Sequence, residues 1–245
     1  TATLIHDDVV DQSDIRRGKT SINKRWDNAH GILVGDFVYS KAFQLMASFK
    51  DKRIIQALAD STNKISEGEV LQLNFQDSKS IKEKDYFEII GRKTAELFKA
   101  SAHTAALISE CNKTLLKVSC DFAYLLGVAF QLRDDLLDYS GNRKNTGKII
   151  GKDFLEGKMT LPLIKALELL DTNDLKTIKQ AFRERDSEKL EKVISIINQS
   201  GAISEVEKIS HDYSNNCLSL LDEFPENLYR ESLQEIVISL RDRSN

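Results

Sequence analysis

Apolar residues recur every three or four positions along most of the chain. The segment 31–49, GILVGDFVYSKAFQLMASF, shows this spacing throughout. A helix with this period places its apolar residues on one face, which it buries against the rest of the fold. The same spacing predicts further helices over 53–76, 84–110, 114–139 and 160–171.

Beyond Pro162 the apolar positions keep helical spacing, but more polar residues lie between them. We predict helices over 187–199, 203–223 and 228–242, and their polarity indicates that they lie at the periphery of the fold. No repeat, low-complexity tract or linker separates two parts of the chain. The pattern therefore predicts one all-α domain over residues 1–245.

Composition supports helices over sheets. The 245 residues include only 2 Pro and 11 Gly, while 41% are hydrophobic and 30% are charged. Few helix breakers and many Leu, Ala, Lys, Glu and Ile favour helix formation. The net charge of −3 offers no general attraction for nucleic acid, and no basic stripe with interleaved aromatic residues occurs. We therefore expect no nucleic-acid partner.

The cysteines indicate the compartment. Cys111, Cys120 and Cys217 are odd in number and lack the spacing of metal ligands. We therefore expect reduced thiols and a cytoplasmic protein. No apolar run approaches the length that crosses a bilayer, so we expect no stable membrane anchor.

One segment differs in composition from the rest of the chain. Residues 141–158, GNRKNTGKIIGKDFLEGK, contain four glycines and five Lys or Arg in eighteen residues. Glycine at this density disfavours regular structure. The segment therefore predicts a mobile cationic loop.

The pattern DDxxD occurs twice, each time directly after an apolar helical run. The aspartates are Asp7, Asp8 and Asp11 in LIHDDVVDQ, and Asp134, Asp135 and Asp138 in FQLRDDLLDYS. On a helix the first and last members of each set lie one turn apart on the same face, and the second lies about 100° around the axis. Such paired carboxylates suit Mg²⁺, which prefers oxygen ligands and keeps positions open for water and phosphate.

Other readings of these aspartates are weaker. A single DDxxD can be a solvated helix end, but two copies, each followed within about ten residues by a cationic cluster, favour a metal site. Calcium sensing is a rival, yet the EF-hand loop with its central glycine and terminal glutamate is absent. The two motifs therefore predict metal binding.

Cationic residues follow each acidic motif. Arg16 and Arg17 come after the first, and the loop after the second contains Lys148, Lys152 and Lys158. Arginine forks match phosphate geometry, and lysines add point charges. For any one of these residues, Lys152 above all, an exposed surface position is the alternative. Together they predict a helical cavity, acidic at two opposing rims, that binds a polyanion through metal.

The motifs resemble those of the trans-polyprenyl diphosphate synthases. LIHDDVVDQSDIRRGK, GRKTAELF (91–98), FQLRDDLLDY (130–139) and GKIIGKDFLEGKMTLPL (147–163) occur in that family's order and spacing, and the likeness extends over essentially the whole chain. Their wording is most similar to the bacterial octaprenyl diphosphate synthases. The resemblance implies an antiparallel helical bundle around a deep central cavity, usually as a homodimer.

The resemblance also implies an activity. An allylic diphosphate such as farnesyl diphosphate ionises, the double bond of isopentenyl diphosphate attacks the cation, and a proton leaves. With Mg²⁺, repeated steps give a long all-trans polyprenyl diphosphate, here octaprenyl, for the side chain of a respiratory quinone. A heptaprenyl, solanesyl or geranylgeranyl product is the alternative, as is a non-catalytic subunit of a heteromeric synthase. A terpene cyclase normally has a different second motif.

Individual roles follow from the same resemblance. All six motif aspartates are implied to be catalytic, with Asp7, Asp11 and Asp134 as direct Mg²⁺ ligands. The implied substrate contacts are Arg16, Lys93, Lys148 and Lys158 on the allylic diphosphate, Arg17 on isopentenyl diphosphate, and Thr94 and Gln131 at the reacting centre.

Product length is implied to depend on Ala2 and Thr3, five and four residues before Asp7. These positions lie one turn deeper on the helix that lines the product tunnel in the family. An aromatic side chain there would close the tunnel after two or three isoprene units, and both residues are small. The sequence therefore predicts a longer product.

Two further residues near the first motif are expected to be structural. His6 lies beside Asp7, and Asp36 lies in LVGDF on an apolar helix that predicts a buried side chain. We expect a neighbouring helix face for His6 and a hydrogen bond for Asp36, rather than catalysis or metal binding.

The chain departs from the family pattern at its front. In the family, helices before the first motif contribute a Lys, an Arg and a His that bind isopentenyl diphosphate, whereas this sequence starts six residues before Asp7. We expect such a segment to precede Thr1. A molecule that begins at Thr1 is expected to bind isopentenyl diphosphate poorly.

Overall fold

The structure, a computed structural model, describes residues 1–76, 81–140 and 150–243. Contacts between Cα atoms group the chain into two compact units, Thr1–Gln56 and Ala57–Asn245. Both are helical, and the only strands in the described ranges form one short hairpin. The predicted all-α class is confirmed, while the single domain remains a prediction.

The first unit contains three helices, a hairpin and the start of a fourth helix. Its elements are α1 (Ala2–Val10), β1 (Ile15–Arg16), β2 (Lys19–Thr20), α2 (Ile22–Arg25), α3 (Asn28–Ala47) and the start of α4 (Lys52–Phe75), which continues into the second unit.

Two glycines bring α1 close to α3. A Cβ atom on Gly35 would lie 2.2 Å from Nε2 of His6, and one on Gly31 would lie 2.5 Å from Val9. Such distances are far below van der Waals contact, so only glycine permits this approach. The spacing of Gly31 and Gly35, one turn apart, therefore fixes the helix that carries the first acidic motif.

The hairpin turns through Arg17 and Gly18. Arg16 pairs with Lys19, and Ile15 pairs with Thr20, in an antiparallel register. The φ angles of Arg17 and Gly18 are 51° and 73°, and a type I′ turn requires positive φ at both central residues. Glycine adopts this conformation readily, whereas a bulky residue such as Arg17 does so at a cost.

The second unit contains the remaining elements and the hydrophobic core. They are α5 (Glu83–Ile90), a π-helical segment (Gly91–Ala95), α6 (Glu96–Ile108), α7 (Lys113–Ser140), α8 (Lys152–Leu155), α9 (Leu161–Leu169), α10 (Thr172–Glu184), α11 (Leu190–Gln199), α12 (Ala202–Leu221) and α13 (Leu228–Arg241).

The long helix α7 is central in this unit and packs most extensively on α6 and α12. Its Leu132 and Leu136 are completely buried and join Leu161 of α9 and Val206 of α12 in one core cluster. Burying a leucine side chain contributes about 1.5–3 kcal/mol. The part of α7 that carries the second acidic motif is therefore held in place by the hydrophobic core.

The length and composition of α7 also meet the criteria for a membrane span, as no other described helix does. The expectation that no apolar run approaches this length is therefore wrong for α7. Its most apolar stretch is nearly half buried within the protein. The core helix of a soluble protein passes the same test, so this is weak evidence for a span.

Two sequence predictions are wrong in the last third of the chain. The helices α11 and α12 are not peripheral, because Val193, Ile197, Cys217 and Leu221 are fully buried. Helix α10 was not predicted as a separate element. Its N-cap is Asp171, whose side chain accepts hydrogen bonds from two backbone amides. Such a cap stabilises a helix start by about 1 kcal/mol.

The predicted mobile loop is in part a folded element. Residues 141–149 lie outside the described ranges. Beyond them, α8 (Lys152–Leu155) forms a short helix whose Phe154 is fully buried against Phe182. The buried side chain of Phe154 anchors this stretch. The many glycines and lysines around Phe154 favoured a loop prediction instead.

A buried lysine joins three helices beneath the site. Lys165 of α9 lies 2.8 Å from Glu83 of α5, 2.9 Å from Glu205 of α12 and 3.4 Å from Glu168. Its hydrogen bonds to Glu83 and Glu205 raise the pKa of Lys165, so it is charged at neutral pH. The start of α5 is thereby attached to α9 and α12.

Candidate active site

The first acidic motif lies at the C-terminal end of α1. Asp7 and Asp11 are one turn apart, since the amide of Asp11 donates to the carbonyl of Asp7 at 2.8 Å. The last turn contains no basic residue. The negative end of the helix dipole and two carboxylates therefore act together, and their field favours a bound cation.

Asp8 differs from its neighbours in this motif. It is buried, and Oδ1 accepts from Nε of Arg16 at 2.9 Å and from Nη2 at 2.6 Å. The hydrogen bond to Asp8 is the main reason that the pKa of Arg16 is raised. Asp8 thus holds β1 against α1, and Arg16, expected on the allylic diphosphate, is paired with the protein itself.

The other expected residues of the first unit have distinct environments. Arg17 is exposed at the tip of the hairpin. Ala2 is buried in the first turn of α1, and Thr3 is partly buried beside it. The predicted tunnel position is therefore occupied by small side chains within the packed end of this helix.

His6 joins α1 to α3, as expected of a structural residue. Its Nε2 lies 3.1 Å from the carbonyl oxygen of Ile32 and 3.3 Å from Oδ1 of Asp36. The Asp36 side chain is 63% exposed, so the expectation of a buried aspartate is wrong, because α3 packs through its glycines rather than through this face.

The second acidic motif contains three carboxylates in three different settings. Asp134 is partly exposed. Asp138 accepts from the backbone amides of Lys152 at 3.1 Å and Asp153 at 3.0 Å. Burial, reinforced by the charge of Asp153, raises the pKa of Asp138 to about 7. Asp138 therefore fixes the start of α8 beside the motif.

Asp153 is a fourth carboxylate of this cluster, and the sequence analysis missed it. Burial raises the pKa of Asp153 to about 6, and the nearby charges of Lys158 and Lys93 oppose that rise. Its only sequence signal is an acidic residue within a cationic segment. The cluster thus concentrates negative charge that two lysines only partly balance.

Asp135 is fully enclosed. Its Oδ2 accepts from the hydroxyl of Tyr86 at 2.6 Å, and its Oδ1 accepts from Nε2 of Gln131 at 2.8 Å. Burial is the main cause that raises the pKa of Asp135 well above its usual range, and these two bonds lower it. Tyr86 was also missed by the sequence analysis. Tyr86 lies two turns before Lys93 on the same predicted helix. This spacing is the sequence signal that could have identified it.

Lys93 and Thr94 lie in the π-helical segment. Oγ1 of Thr94 donates to Oε1 of Gln131 at 2.9 Å, and Nζ of Lys93 lies 2.9 Å from Oε2 of Glu69 and 2.8 Å from Gln72 of α4. Short π-helical segments occur frequently at functional sites. The structure therefore joins Thr94 directly to Gln131, while the neighbouring Lys93 is paired with Glu69 and Gln72.

Glycines on both sides hold this segment in place. A Cβ on Gly68 of α4 would lie 2.8 Å from the backbone nitrogen of Lys93, and one on Gly127 of α7 would lie 2.7 Å from Cα of Ala95. Both obstructing atoms belong to the backbone and cannot move aside. Neither glycine was recognised in the sequence as important for the site.

The lysines that follow the motif share a glutamate. Lys158 lies 2.8 Å and Lys152 lies 3.0 Å from the carboxylate of Glu156. The Lys158 side chain is 13% exposed and that of Lys152 is 50% exposed. Lys158 is therefore placed near the acidic cluster, since its charge also lowers the pKa of Asp153. Lys148 lies outside the described residues.

The donor set suits a hard divalent cation. In the described ranges, no three His, Cys, Asp or Glu side chains meet closely enough to hold a metal ion alone. Carboxylates whose pKa is raised by burial and mutual repulsion nevertheless gain from a cation that neutralises them. Mg²⁺ keeps several waters and binds phosphate, so one or two carboxylates suffice for it.

The sequence and the fold were compared with those of known proteins. The family model "Polyprenyl synthetase" matches residues 1–199. Octaprenyl diphosphate synthase of Escherichia coli is 38% identical over 95% of this chain and 72% of its own length. A nonaprenyl diphosphate synthase of Rhodobacter capsulatus, described as geranyl-diphosphate specific, is 37% identical over 99% of this chain and 74% of its own.

A solved structure extends the likeness to three dimensions. A polyprenyl synthase of Caulobacter crescentus, complexed with calcium and isoprenyl diphosphate, matches with a TM-score of 0.94 and 36% identity. The match covers all of this chain and 75% of that protein. The helical fold implied by the motifs is thus the fold of a polyprenyl synthase. By sequence and by structure, this chain belongs to the polyprenyl synthetase family.

Proposed function

We propose that this chain is a Mg²⁺-dependent prenyltransferase that condenses an allylic diphosphate with successive isopentenyl diphosphates. The observation that carries the proposal is the cluster of Asp134, Asp135, Asp138 and Asp153 beside Lys93 and Lys158. It combines unbalanced carboxylates with cations, as a site for a metal-bound diphosphate requires.

Asp7 and Asp11 are proposed as Mg²⁺ ligands from the first motif, and Asp134 is proposed as a ligand from the second. Bound Mg²⁺ supplies stabilisation of the negative charge that develops on a departing diphosphate. Asp8 and Asp135 are tied to Arg16 and Tyr86 by the protein itself, and they support the ligands instead.

The chain's own cations bind the diphosphates. Lys93 and Lys158 are fixed by Glu69 and Glu156, so their ammonium groups are already in place when the leaving group gains charge. Preorganised charge of this kind needs no rearrangement during reaction and therefore lowers the barrier. We assign Arg16 and Lys148 to the allylic diphosphate, and Arg17 to isopentenyl diphosphate.

Thr94 and Gln131 are proposed to line the carbon atoms that react. Oxygen dipoles held beside a forming allylic cation stabilise it without attacking it, because they are fixed by hydrogen bonds. The protein then contributes orientation and electrostatics, and the substrate supplies both the nucleophile and the electrophile.

Product length is proposed to be long, with octaprenyl the preferred assignment. Ala2 and Thr3 set a lower limit only, since small side chains leave the tunnel open. The similar proteins include octaprenyl and nonaprenyl synthases, so a heptaprenyl, solanesyl or shorter geranylgeranyl product remains the alternative. The enzyme is proposed to be cytoplasmic, and its product to become the side chain of a respiratory quinone.

A homodimer is proposed for the active form. On α3, Leu33, Phe37 and Leu45 are 66%, 61% and 67% exposed. Apolar surface of this extent on one helix is stabilised when another chain covers it. Light scattering after size exclusion should give twice the chain mass of 27.7 kDa, and a single-chain mass would contradict the dimer.

The activity is tested by incubation with farnesyl diphosphate, labelled isopentenyl diphosphate and Mg²⁺, followed by chromatography. Long linear polyprenyl diphosphates are expected, and the same chromatogram gives the chain length. A cyclic hydrocarbon would indicate a cyclase. No product from the folded full-length protein, including any residues before Thr1, would contradict the proposal and favour a non-catalytic subunit. That subunit would be identified by activity restored on adding a partner chain.

A further inference from the structure

Four side chains of the second unit form one continuous line of hydrogen bonds. Tyr86 donates to Oδ2 of Asp135, Nε2 of Gln131 donates to Oδ1 of Asp135, and Thr94 donates to Oε1 of Gln131. The distances are 2.6, 2.8 and 2.9 Å in that order. The line runs from α5 through α7 to the π-helical segment.

We propose that Tyr86 is a positioning residue for the prenyl-transfer step, because its hydroxyl fixes Asp135, which orients the amide of Gln131 and thereby the hydroxyl of Thr94. This inference rests on the proposed function. Tyr86 acts through these side chains and has no contact with substrate of its own.

The chemistry of the groups gives the line a direction. Both carboxyl oxygens of Asp135 accept in this line, so Asp135 faces the NH₂ end of Gln131, and the amide oxygen must then face Thr94. The Thr94 hydroxyl can give its single proton to that oxygen. Its lone pairs are then directed away from the protein hydrogen bond, where an electron-poor carbon centre would be stabilised.

Without the Tyr86 hydroxyl, the orientation of the Gln131 amide is no longer fixed. Asp135 would keep one strong partner instead of two, and its carboxylate could rotate. An amide turned by 180° would present NH₂ to Thr94, whose hydroxyl would then accept and aim its proton at the reacting carbons. A positive charge developing there would be destabilised.

The surroundings make Tyr86 rigid enough for this task. It is 3% exposed and packs edge-to-face on Phe87, which stacks on Tyr213 of α12. Helix α5 is held at its start by the contact of Glu83 with Lys165. The hydroxyl therefore has a fixed location relative to α7.

The test begins with Tyr86→Phe, which removes the hydroxyl and keeps the ring. We expect kcat to fall about 10- to 100-fold, since small misplacements at a reacting centre have effects of this size. KM for both substrates should stay within about twofold, because the diphosphate-binding cations are unchanged. Tyr139→Phe is the matched control: Tyr139 is equally buried on α7, and its oxygen lies 3.5 Å from Thr160. Its kcat should stay near wild type.

A double-mutant cycle separates positioning from general damage to the fold. Thr94→Val removes the hydroxyl at the end of the line, so adding Tyr86→Phe to it should lower kcat by less than about twofold further. If the two losses multiply instead, Tyr86 acts only on the fold and the inference is overturned. Asp135→Asn enters the same cycle with the same expectation, and it decides the matter if Tyr86→Phe does not fold.

A readout without substrate completes the test. The side-chain amide protons of Gln131, assigned in ¹⁵N-glutamine-labelled protein by their loss in Gln131→Leu, should shift in Tyr86→Phe and not in Tyr139→Phe. Unchanged signals in Tyr86→Phe would overturn the inference. An inactive wild type would instead overturn the proposed function, while the NMR result would still report on the hydrogen-bond line.

Discussion

Arg16 donates two hydrogen bonds to a single oxygen of Asp8, through Nε at 2.9 Å and Nη2 at 2.6 Å. The two neighbouring aspartates of the motif, Asp7 and Asp11, lie one turn apart at the same helix end, and both are partly exposed. One DDxxD pattern therefore contains a structural carboxylate and two that suit a metal.

This division predicts different consequences for two substitutions. Asp8→Asn removes the charge that pairs with Arg16, whose side chain is 39% exposed and can be hydrated instead. The loss of stability should therefore be about 1–2 kcal/mol, with measurable activity. Asp7→Ala should leave stability unchanged and lower kcat by at least about 100-fold.

Urea unfolding and steady-state kinetics of both variants test this contrast, and Asp134→Ala should lower kcat as much as Asp7→Ala does. A stable but inactive Asp8→Asn would show that Asp8 is itself a ligand. Retained activity in Asp7→Ala would remove Asp7 from the metal site.

The packing of α1 on α3 gives a second prediction. In Gly35→Ala the new methyl group meets His6 at 2.2 Å. Overpacking costs about 1–3 kcal/mol, and the better helix propensity of alanine returns about 1 kcal/mol. We expect a net loss of about 0–2 kcal/mol, visible as a lower Tm. Ser40→Ala, exposed on the same helix, should change stability by less than about 0.5 kcal/mol. A higher Tm for Gly35→Ala would contradict the close approach.

Mg²⁺ should stabilise the protein against heat through the acidic clusters. At a concentration one hundred times its dissociation constant the gain is about 2.7 kcal/mol. Asp134→Asn should raise the Tm measured in EDTA, since it relieves repulsion with the buried Asp135 and Asp138. It should also reduce the increment that Mg²⁺ produces.

The control for this experiment is Asp121→Asn, an exposed carboxylate earlier on α7. It should leave the Mg²⁺ increment unchanged. An Asp134→Asn variant that is less stable in EDTA and fully stabilised by Mg²⁺ would show that Asp134 is not a ligand.

The thiols provide a prediction that depends on pH. Burial raises the pKa of Cys217 to about 12, so the folded protein keeps a proton that the unfolded chain releases near pH 9. Stability should therefore fall as the pH rises from about 9 to 12. Unfolding followed across this range should show a shallower fall in Cys217→Ala. At pH 8 the partly exposed Cys111 should react with a thiol reagent, and Cys217 only after unfolding. A reactive Cys217 in the native protein would contradict its burial.

The helices that carry the site could be predicted from the sequence because their apolar spacing is regular. The predicted helix 114–139 corresponds to α7 (Lys113–Ser140), and its buried residues follow the same periodicity. Helix α12 was misplaced at the periphery because small side chains such as Ser210 and Ser214, both buried, read as polar. Whether a small polar side chain is buried depends on the helices that pack against it, and these cannot be seen in the local sequence.

Candidate site residues could be named from the sequence where they lie in motifs, as the aspartates, Lys93, Thr94 and Gln131 do. Their roles stay predictions. Tyr86 and Asp153 were missed, since each acquires its partner only through folding: Asp135 is 49 residues from Tyr86. The π-helical segment was predicted as ordinary helix, and its close contacts with Gly68 and Gly127 are made only in the folded protein.

The hairpin of the first unit has a consequence for protein engineering. Arg17 occupies a left-handed position, where asparagine or glycine would be more relaxed. Arg17→Asn is thus expected to stabilise the fold slightly, and it removes a guanidinium group from the tip of the hairpin. Selection for thermal stability alone would therefore favour the loss of Arg17, the residue proposed to bind isopentenyl diphosphate.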